Sequence, residues 1–309
     1  MTHAGHDHTV GGVPAGFGVA RRALWLALTA NGGFLLVEIA GGIVFGSLAL
    51  LADAAHLASD VGALAVALVA QRLVTRPASA RRTYGLRRAE ALGAQANALL
   101  LVGVSVWIFV EAVARLGEGA SVDGAGLLAV SSAGLVVNLY AMRVLARVRG
   151  SDLNLRGAFL HTASDAAGSL GAIAAGIAVL AFDADWMDPV ASIVIGVLVI
   201  VSAVALLRDT TNVLLEGAPR DLDPDAVESA LAGEPGVDAV HHLHLWELAS
   251  DLPALSAHVV LTGEPTLHDA QARGDGLRAM LMSRFGIEHA TLELECHDCK
   301  APAHDSVSR

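Results

Sequence analysis

Six apolar runs, each close to the length of a bilayer-spanning helix, leave this chain few ways to fold. They cover about 22–45, 48–71, 91–114, 123–145, 157–181 and 187–207. Roughly twenty residues of helix cross a hydrocarbon core, and in lipid a helix satisfies its own backbone hydrogen bonds. Six transmembrane helices are therefore expected. A mean hydropathy of +0.56 agrees, being too high for a soluble protein of 309 residues. Only a short Gly-Ser link separates the first two runs, so they should form a tight antiparallel pair. The fifth is dense in small residues (Ala166, Ala167, Gly168, Ser169, Gly171), which let membrane helices approach closely. The first run is too long for a cleavable signal peptide, and the expectation is that it serves as its own insertion signal.

Charge divides the chain and orients it. The net charge is −11. Residues 1–212 hold fourteen Arg and fourteen Asp/Glu, whereas 213–309 hold six Lys/Arg and seventeen Asp/Glu, so the whole excess belongs to the tail. An acidic tail excludes a nucleic-acid partner, which needs a basic face. Thirteen arginines flank the apolar runs on one side: Arg21, Arg22, Arg72, Arg76, Arg81, Arg82, Arg87, Arg88, Arg143, Arg147, Arg149, Arg156 and Arg208. On the other side stands Arg115, with Glu118, Asp123, Asp183, Asp185 and Asp188. The positive-inside rule then places both termini in the cytoplasm. A composition rich in Ala, Gly, Val and Arg with a single Lys points to a bacterial inner membrane.

Beyond about residue 213 the pattern becomes that of a small α/β domain. Pro224–Ala232 reads as a helix with Asp223 as its N-cap. Val237–Leu248 and Ala254–Thr262 alternate as half-buried strands do. Thr266–Phe285 is a second helix and Ile287–Glu295 a third strand, an order that suggests a ferredoxin-like layer. The expected organisation is an N-terminal arm at 1–21 containing His3, His6 and His8, a six-helix membrane domain at 22–212, a ferredoxin-like domain at 213–296, for which the family resemblance given below implies metal binding and dimerisation, and a tail at 297–309.

One pattern occurs twice within the apolar runs. His56 precedes Asp60 by four residues, and His161 precedes Asp165 by four. That spacing puts both side chains of a pair on one helix face, about 6 Å apart in rise. Ionisable groups in lipid usually face an ion path, a cavity or a bundle interior. Two imidazoles and two carboxylates complete a tetrahedral shell suited to zinc and its neighbours, not the all-oxygen shell of magnesium or calcium. The plainer alternative is helix–helix hydrogen bonding, and the repeat of the pattern favours the metal. Asp53, seven residues before Asp60, is either a supporting group or a packing hydrogen bond. Asn31 and Glu38, seven apart in the first run, share a face; they and Asn97 read as structural.

In the tail, His241, His242, His244, His258 and His268 are candidates for a second metal site with Glu293 and Glu295. His241 and His258 fall at opposite ends of adjacent strands, and the alternative for His242 and His244 is surface or interface packing. Trp246 is expected to anchor a core or an interface. Cys296 and Cys299 are the only cysteines, so no disulfide framework exists. Their C-x-x-C spacing suits a soft metal, and a solvated, reduced tail suits it equally.

The runs GSLALLADAAHLASD (Gly46–Asp60), YGLRRAEALGAQANALLL (Tyr84–Leu101), AFLHTASDAAGSLG (Ala158–Gly171), DTTNVLLEGAP (Asp209–Pro219) and VHHLHLWELASDLPALSAHV (Val240–Val259) resemble the cation diffusion facilitator family over nearly the whole chain. The resemblance implies an α-helical membrane protein of six helices with a cytoplasmic ferredoxin-like domain. It also implies a homodimer that exports divalent metal, Zn2+ with Cd2+ or Co2+ as companions, in exchange for protons, with Zn2+ as a regulatory ligand in the tail as well. On it, His56, Asp60, His161 and Asp165 correspond to the transport site of the zinc-preferring branch. His241, His258, His268 and Glu295 match cytoplasmic ligands, Glu293 falls at a variable position, and Glu216 resembles a hinge. One departure stands out. Where some relatives carry a further metal site between the second and third helices, this chain has RPASARRTYGLRR, whose arginines suit lipid phosphate or the acidic tail. Two readings from other classes, a membrane metalloenzyme activating water and a membrane-anchored metal sensor, use the same His/Asp site.

Overall fold

The computed structural model describes residues 17–74, 79–118, 121–147, 153–249 and 252–297. Six long helices come first: α1 (Phe17–Val44), α2 (Leu48–Val74), α3 (Ala89–Glu118), α4 (Gly124–Arg147), α5 (Leu153–Phe182) and α6 (Met187–Leu214). After them come α7 (Pro224–Ala232), β1 (Val237–Ala249), β2 (Leu252–Leu261), α8 (Leu267–Phe285) and β3 (His289–Glu295). Five of the first six are long and apolar enough to cross a membrane, and α1 contributes the apolar stretch Leu28–Val44. The helices run past the apolar segments: α1 begins at Phe17, α5 at Leu153, and α6 continues to Leu214. Polar turns such as Arg208–Thr211 stay helical because water satisfies their side chains once the apolar span has ended.

The chain forms two compact units, one built from the chain up to Arg72 with Ala96–Ala205, the other from Leu73–Gln95 with Leu206 onward. In the first unit, Gly46 at φ 67 makes the tight α1–α2 turn, a left-handed position that glycine adopts without strain. Ser47 caps α2, its Oγ accepting from Leu50 N at 3.2 Å. Asp123 caps α4, its Oδ1 accepting from Ala125 N and Gly126 N. The small-residue face of α5 does what its composition suggests. A Cβ on Gly176 would lie 3.2 Å from Leu128 N and 3.3 Å from Gly124 O, so α4 and α5 pass almost backbone to backbone. Two apolar clusters hold the helices: Ala52, Leu101, Ile108 and Val199 join α2, α3 and α6, while Leu50, Leu127, Ala172 and Ala175 join α2, α4 and α5. Leu36, Ile43, Leu100, Trp107, Val136 and Val201 are exposed on outer faces, as lipid-facing side chains should be.

In the second unit, β1 pairs antiparallel with β2 and β2 parallel with β3, giving the order β1-β2-β3. The parallel pair requires a crossover, which α8 supplies. Asp223 caps α7 as expected, accepting from Asp225 N, with Pro224 in the first turn. Thr266 caps α8, and Gly286 ends it at φ 68. Val227, Leu231, Leu255, Val259, Leu281 and Ile287 fill the core between the helices and the sheet.

Candidate metal centres

Inside the helical unit, α2 carries Asp53, His56 and Asp60 at offsets of three and four, one stripe of the helix. Opposite it, α5 carries Asp165. His56 Nε2 lies 2.8 Å from Asp165 Oδ1, both side chains about one-fifth exposed. Ligand atoms of His56, Asp60 and Asp165 all fall within 4.8 Å of one another. Bonds of about 2.0–2.2 Å to a tetrahedral zinc place ligand atoms roughly 3.5 Å apart, so an ion would part the His56–Asp165 pair slightly and draw wider pairs in by about 1 Å. The His-Asp stripe of α2 thus meets Asp165 of α5 at one point. His161 lies on α5 one turn before Asp165; its side chain falls outside the described residues.

The surrounding polar groups sort themselves by contact. Asp53 is 9% exposed and shares a hydrogen bond with Glu38 of α1, which is 3% exposed. The sequence pattern grouped Glu38 with Asn31 along α1; the structure turns Glu38 toward α2, a choice made by packing between helices and invisible in the periodicity of one. Asn97 of α3 donates to the backbone oxygen of Ser59 at 3.1 Å and to its hydroxyl at 3.3 Å. Any side chain at Gly62 would collide with the Asn97 amide. Asn97 therefore locks α3 to α2 beside Asp60. Asn31 is half-buried on α1.

A residue read only as a loop charge proves central to the same unit. Asp188, at the start of α6, is fully buried. Ser47 Oγ donates to it at 2.5 Å, Leu48 N at 2.8 Å and Ala49 N at 3.2 Å. A carboxylate thus sits at the N-terminus of α2, where orphan amides and the helix dipole both favour it. Arg115 of α3 holds the adjoining turn, donating to Gly46 O at 2.6 Å. Ser47 hints at a cap, but nothing local could name a partner 141 residues away.

The tail domain gathers a second cluster. His241 of β1 pairs in register with His258 of β2, and His258 with Glu293 of β3. The strands therefore set His241 and His258 directly opposite each other, not at opposite ends, because the hairpin closes at Ala249↔Leu252. His241 Nε2 is 3.1 Å from Glu295 Oε2, His258 Nδ1 is 2.7 Å from Glu295 Oε1, and His258 Nε2 is 3.3 Å from Glu293 Oε2. Burial raises the Glu295 carboxyl, but hydrogen bonds from His258 and His241 and the charges of both outweigh it, and its pKa is lowered.

Strand alternation would send His241 and His242 to opposite faces. The register shifts between His241 and His244, and His242 takes φ 48. This bulge brings both rings to one face, with Nδ1 atoms 3.3 Å apart. The rings of His241, His242 and His258 lie 4.9–5.1 Å from one another. Ligand atoms of these three, and of His258, Glu293 and Glu295, form two overlapping metal-type groups. His242, a candidate whose alternative was surface or interface packing, thus joins the group; a non-glycine residue at positive φ costs energy and marks a site worth inspecting, but the sequence does not reveal it. His268 is exposed at the start of α8 and His244 is exposed on β1, both outside these groups. Cys296 is exposed and unpaired by any disulfide, while Cys299 and the N-terminal histidines fall outside the described residues. Where α6 ends, Glu216 adopts φ 61 and accepts from Arg88 Nη2 at 3.1 Å.

Residues 24–215 match the family described as the cation efflux transmembrane domain, and residues 219–297 the cation efflux protein cytoplasmic domain. The metal cation efflux system protein CzcD of Cupriavidus metallidurans is 39% identical over 98% of this chain and 94% of its own. The zinc transporter ZitB of Escherichia coli is 39% identical over 98% and 95%. The cadmium, cobalt and zinc/H(+)-K(+) antiporter of Bacillus subtilis is 35% identical over 98% and 94%.

Proposed function

The chain belongs to the cation efflux, or cation diffusion facilitator, family, and from that membership we propose that it exports Zn2+ from the cytoplasm in exchange for protons. It is a multi-pass membrane metal transporter and not an enzyme. Cd2+ and Co2+ are further cargoes, in keeping with the name of the Bacillus subtilis relative. The observation that carries this reading is the convergence of His56, Asp60 and Asp165 from two apolar helices. We place His161, one turn from Asp165, as the fourth ligand.

The chemistry follows from the donor set. A ligand imidazole must be neutral and a ligand carboxylate ionised, so metal entry displaces protons and metal exit admits them. Because α2 and α5 each bring one His-Asp pair, a change in their separation takes the shell apart without unfolding either helix. Exposure of that shell to each side in turn yields antiport. Both termini and the tail domain are assigned to the cytoplasm of a bacterial inner membrane, and the working unit is a homodimer joined through residues 213–296. There His241, His242, His258, Glu293 and Glu295 would hold regulatory Zn2+, nitrogen and oxygen donors that suit it. The relatives' names do not favour a metalloenzyme or a sensor.

The test is Zn2+ uptake into proteoliposomes with an imposed pH gradient. Uptake should follow the gradient, move protons in the opposite sense, and vanish in Asp60→Ala. Zinc flux that ignores pH would end the antiport reading, and zinc transport retained in Asp60→Ala would remove the site.

A further inference from the structure

The arginine-rich loop between α2 and α3 is not spent on metal, and the second unit shows what it encloses. A cavity of about 990 Å³ is lined by Arg81, Arg82, Arg87 and Arg88 on one side and by His244 and Trp246 of β1 on another. One carboxylate, Glu216, also lines it and is taken by Arg88. Among the described residues, Arg81, Arg82 and Arg87 enter no ion pair. Three uncompensated guanidinium groups around one cavity, in a chain of net charge −11, form a feature that burial or folding alone does not explain.

The loop is built, not open. Ser79 and Arg82 exchange two backbone hydrogen bonds of 2.9 and 3.1 Å, and Gly85, at φ 73, donates to Arg82 O at 2.9 Å. The Tyr84 ring stands edge-on to His289 at 6.3 Å, fastening the loop to the start of β3. These contacts fix the backbone of the loop, with Arg81 and Arg82 exposed and Arg87 half-buried along the cavity.

We propose that this cavity binds a phosphate group, and that its source is the headgroup of an anionic glycerophospholipid. The planar guanidinium fork matches phosphate oxygens in bidentate fashion. Trp246 supplies an amphipathic wall against which the glycerol backbone and first acyl methylenes can lie while water remains nearby. The loop also lies where such a headgroup would be, since the apolar spans flanking it end at Ala70 and resume at Ala89. A bound phosphate would tie the α2–α3 loop to β1, giving this unit a contact that responds to lipid composition. Soluble phosphate shares the recognition chemistry, and the experiment separates the two sources.

Full-length protein in detergent is titrated with short-chain phosphatidylglycerol, and separately with inorganic phosphate, with bound ligand counted by native mass spectrometry. The triple variant Arg81→Gln, Arg82→Gln, Arg87→Gln should weaken phosphatidylglycerol binding on the order of a hundredfold at low salt. A triple Arg→Lys variant at the same positions, which keeps charge and fold but loses the fork, should fall between it and the parent. Arg143→Gln, Arg147→Gln, Arg149→Gln removes equal charge elsewhere and should bind as the parent does. Competition by inorganic phosphate assigns a free anion, and its absence assigns the lipid; either result keeps the phosphate site. Unchanged binding in the first triple, or equal loss in the third, overturns it. The readout is binding alone, so this failure would leave the transport reading standing.

Discussion

His242→Gly separates the two things the β1 bulge does. At φ 48 a side-chain-bearing residue costs about 1–2 kcal/mol relative to ordinary backbone. Glycine avoids that cost but gives back about 0.5–1 kcal/mol through its freedom in the unfolded chain. The metal-free glycine variant should therefore match the parent or exceed its stability by up to about 1 kcal/mol, and His242→Ala should fall below both. Metal reverses the order. A structural zinc worth about 10–16 kcal/mol over four ligands gives about 3 kcal/mol per ligand, on the order of a hundredfold in Kd. With zinc at about a hundred times the parent's Kd, linkage stabilises the parent by about 2.7 kcal/mol, whereas the variant, near its own Kd, gains only about 0.4 kcal/mol. Denaturant unfolding of the full-length protein would read this from Trp246 fluorescence, with Trp25, Trp107 and Trp186 replaced by Phe. Equal stabilisation by zinc in parent and His242→Gly would refute the ligand role and leave the bulge unexplained.

Glu295→Gln should flatten the acid limb of tail-domain stability in metal-free protein. The lowered Glu295 pKa means its stabilisation is complete above the ordinary carboxylate value and is lost as pH falls through the folded one. A parent and variant with parallel acid limbs would contradict this. Gly176→Val should lower thermal stability in detergent by about 1–3 kcal/mol through overpacking against α4, while Gly171→Ala, with nothing within 4 Å of its Cβ, should be nearly silent; size-exclusion melting curves that coincide would count against the close crossing. Asp188→Ala leaves buried amides of Leu48 and Ala49 without their acceptor and should cost about 2 kcal/mol or more in the same assay, with Asp188→Asn falling between it and the parent.

How much of this was readable depended on whether the relevant partner lay nearby in sequence. The α7 cap at Asp223, the α8 span and the six helices follow from local signals, and apolar runs mark helices well because lipid permits little else. The His56–Asp165 approach was foreshadowed by a repeated spacing, which implies a common function without stating a contact. The partners of Asp188 and Glu38 were illegible for the same reason: each lies on another helix, where single-helix periodicity has no reach. His242 failed differently. Alternation is a sound rule until a bulge inserts a residue, and the price of that bulge, a histidine at positive φ, leaves no trace in composition. Glu216 shows a similar conflict, holding a left-handed helix-end position that usually belongs to glycine, with its carboxylate given to Arg88 instead.

The Asp188 clamp gives α2 the mechanics of a lever. Its first turn is pinned by α6 through Asp188 and by α3 through the Arg115 bond to Gly46, which makes that end a fulcrum. Asp60 lies twelve residues along the arm, about 18 Å at the rise of an α-helix. A tilt of about 10° would then carry Asp60 through about 3 Å, more than the length of a zinc–oxygen bond. Rigid pivoting of a few degrees would suffice to grip or drop an ion, with the load-end travel set by where the arm is hinged.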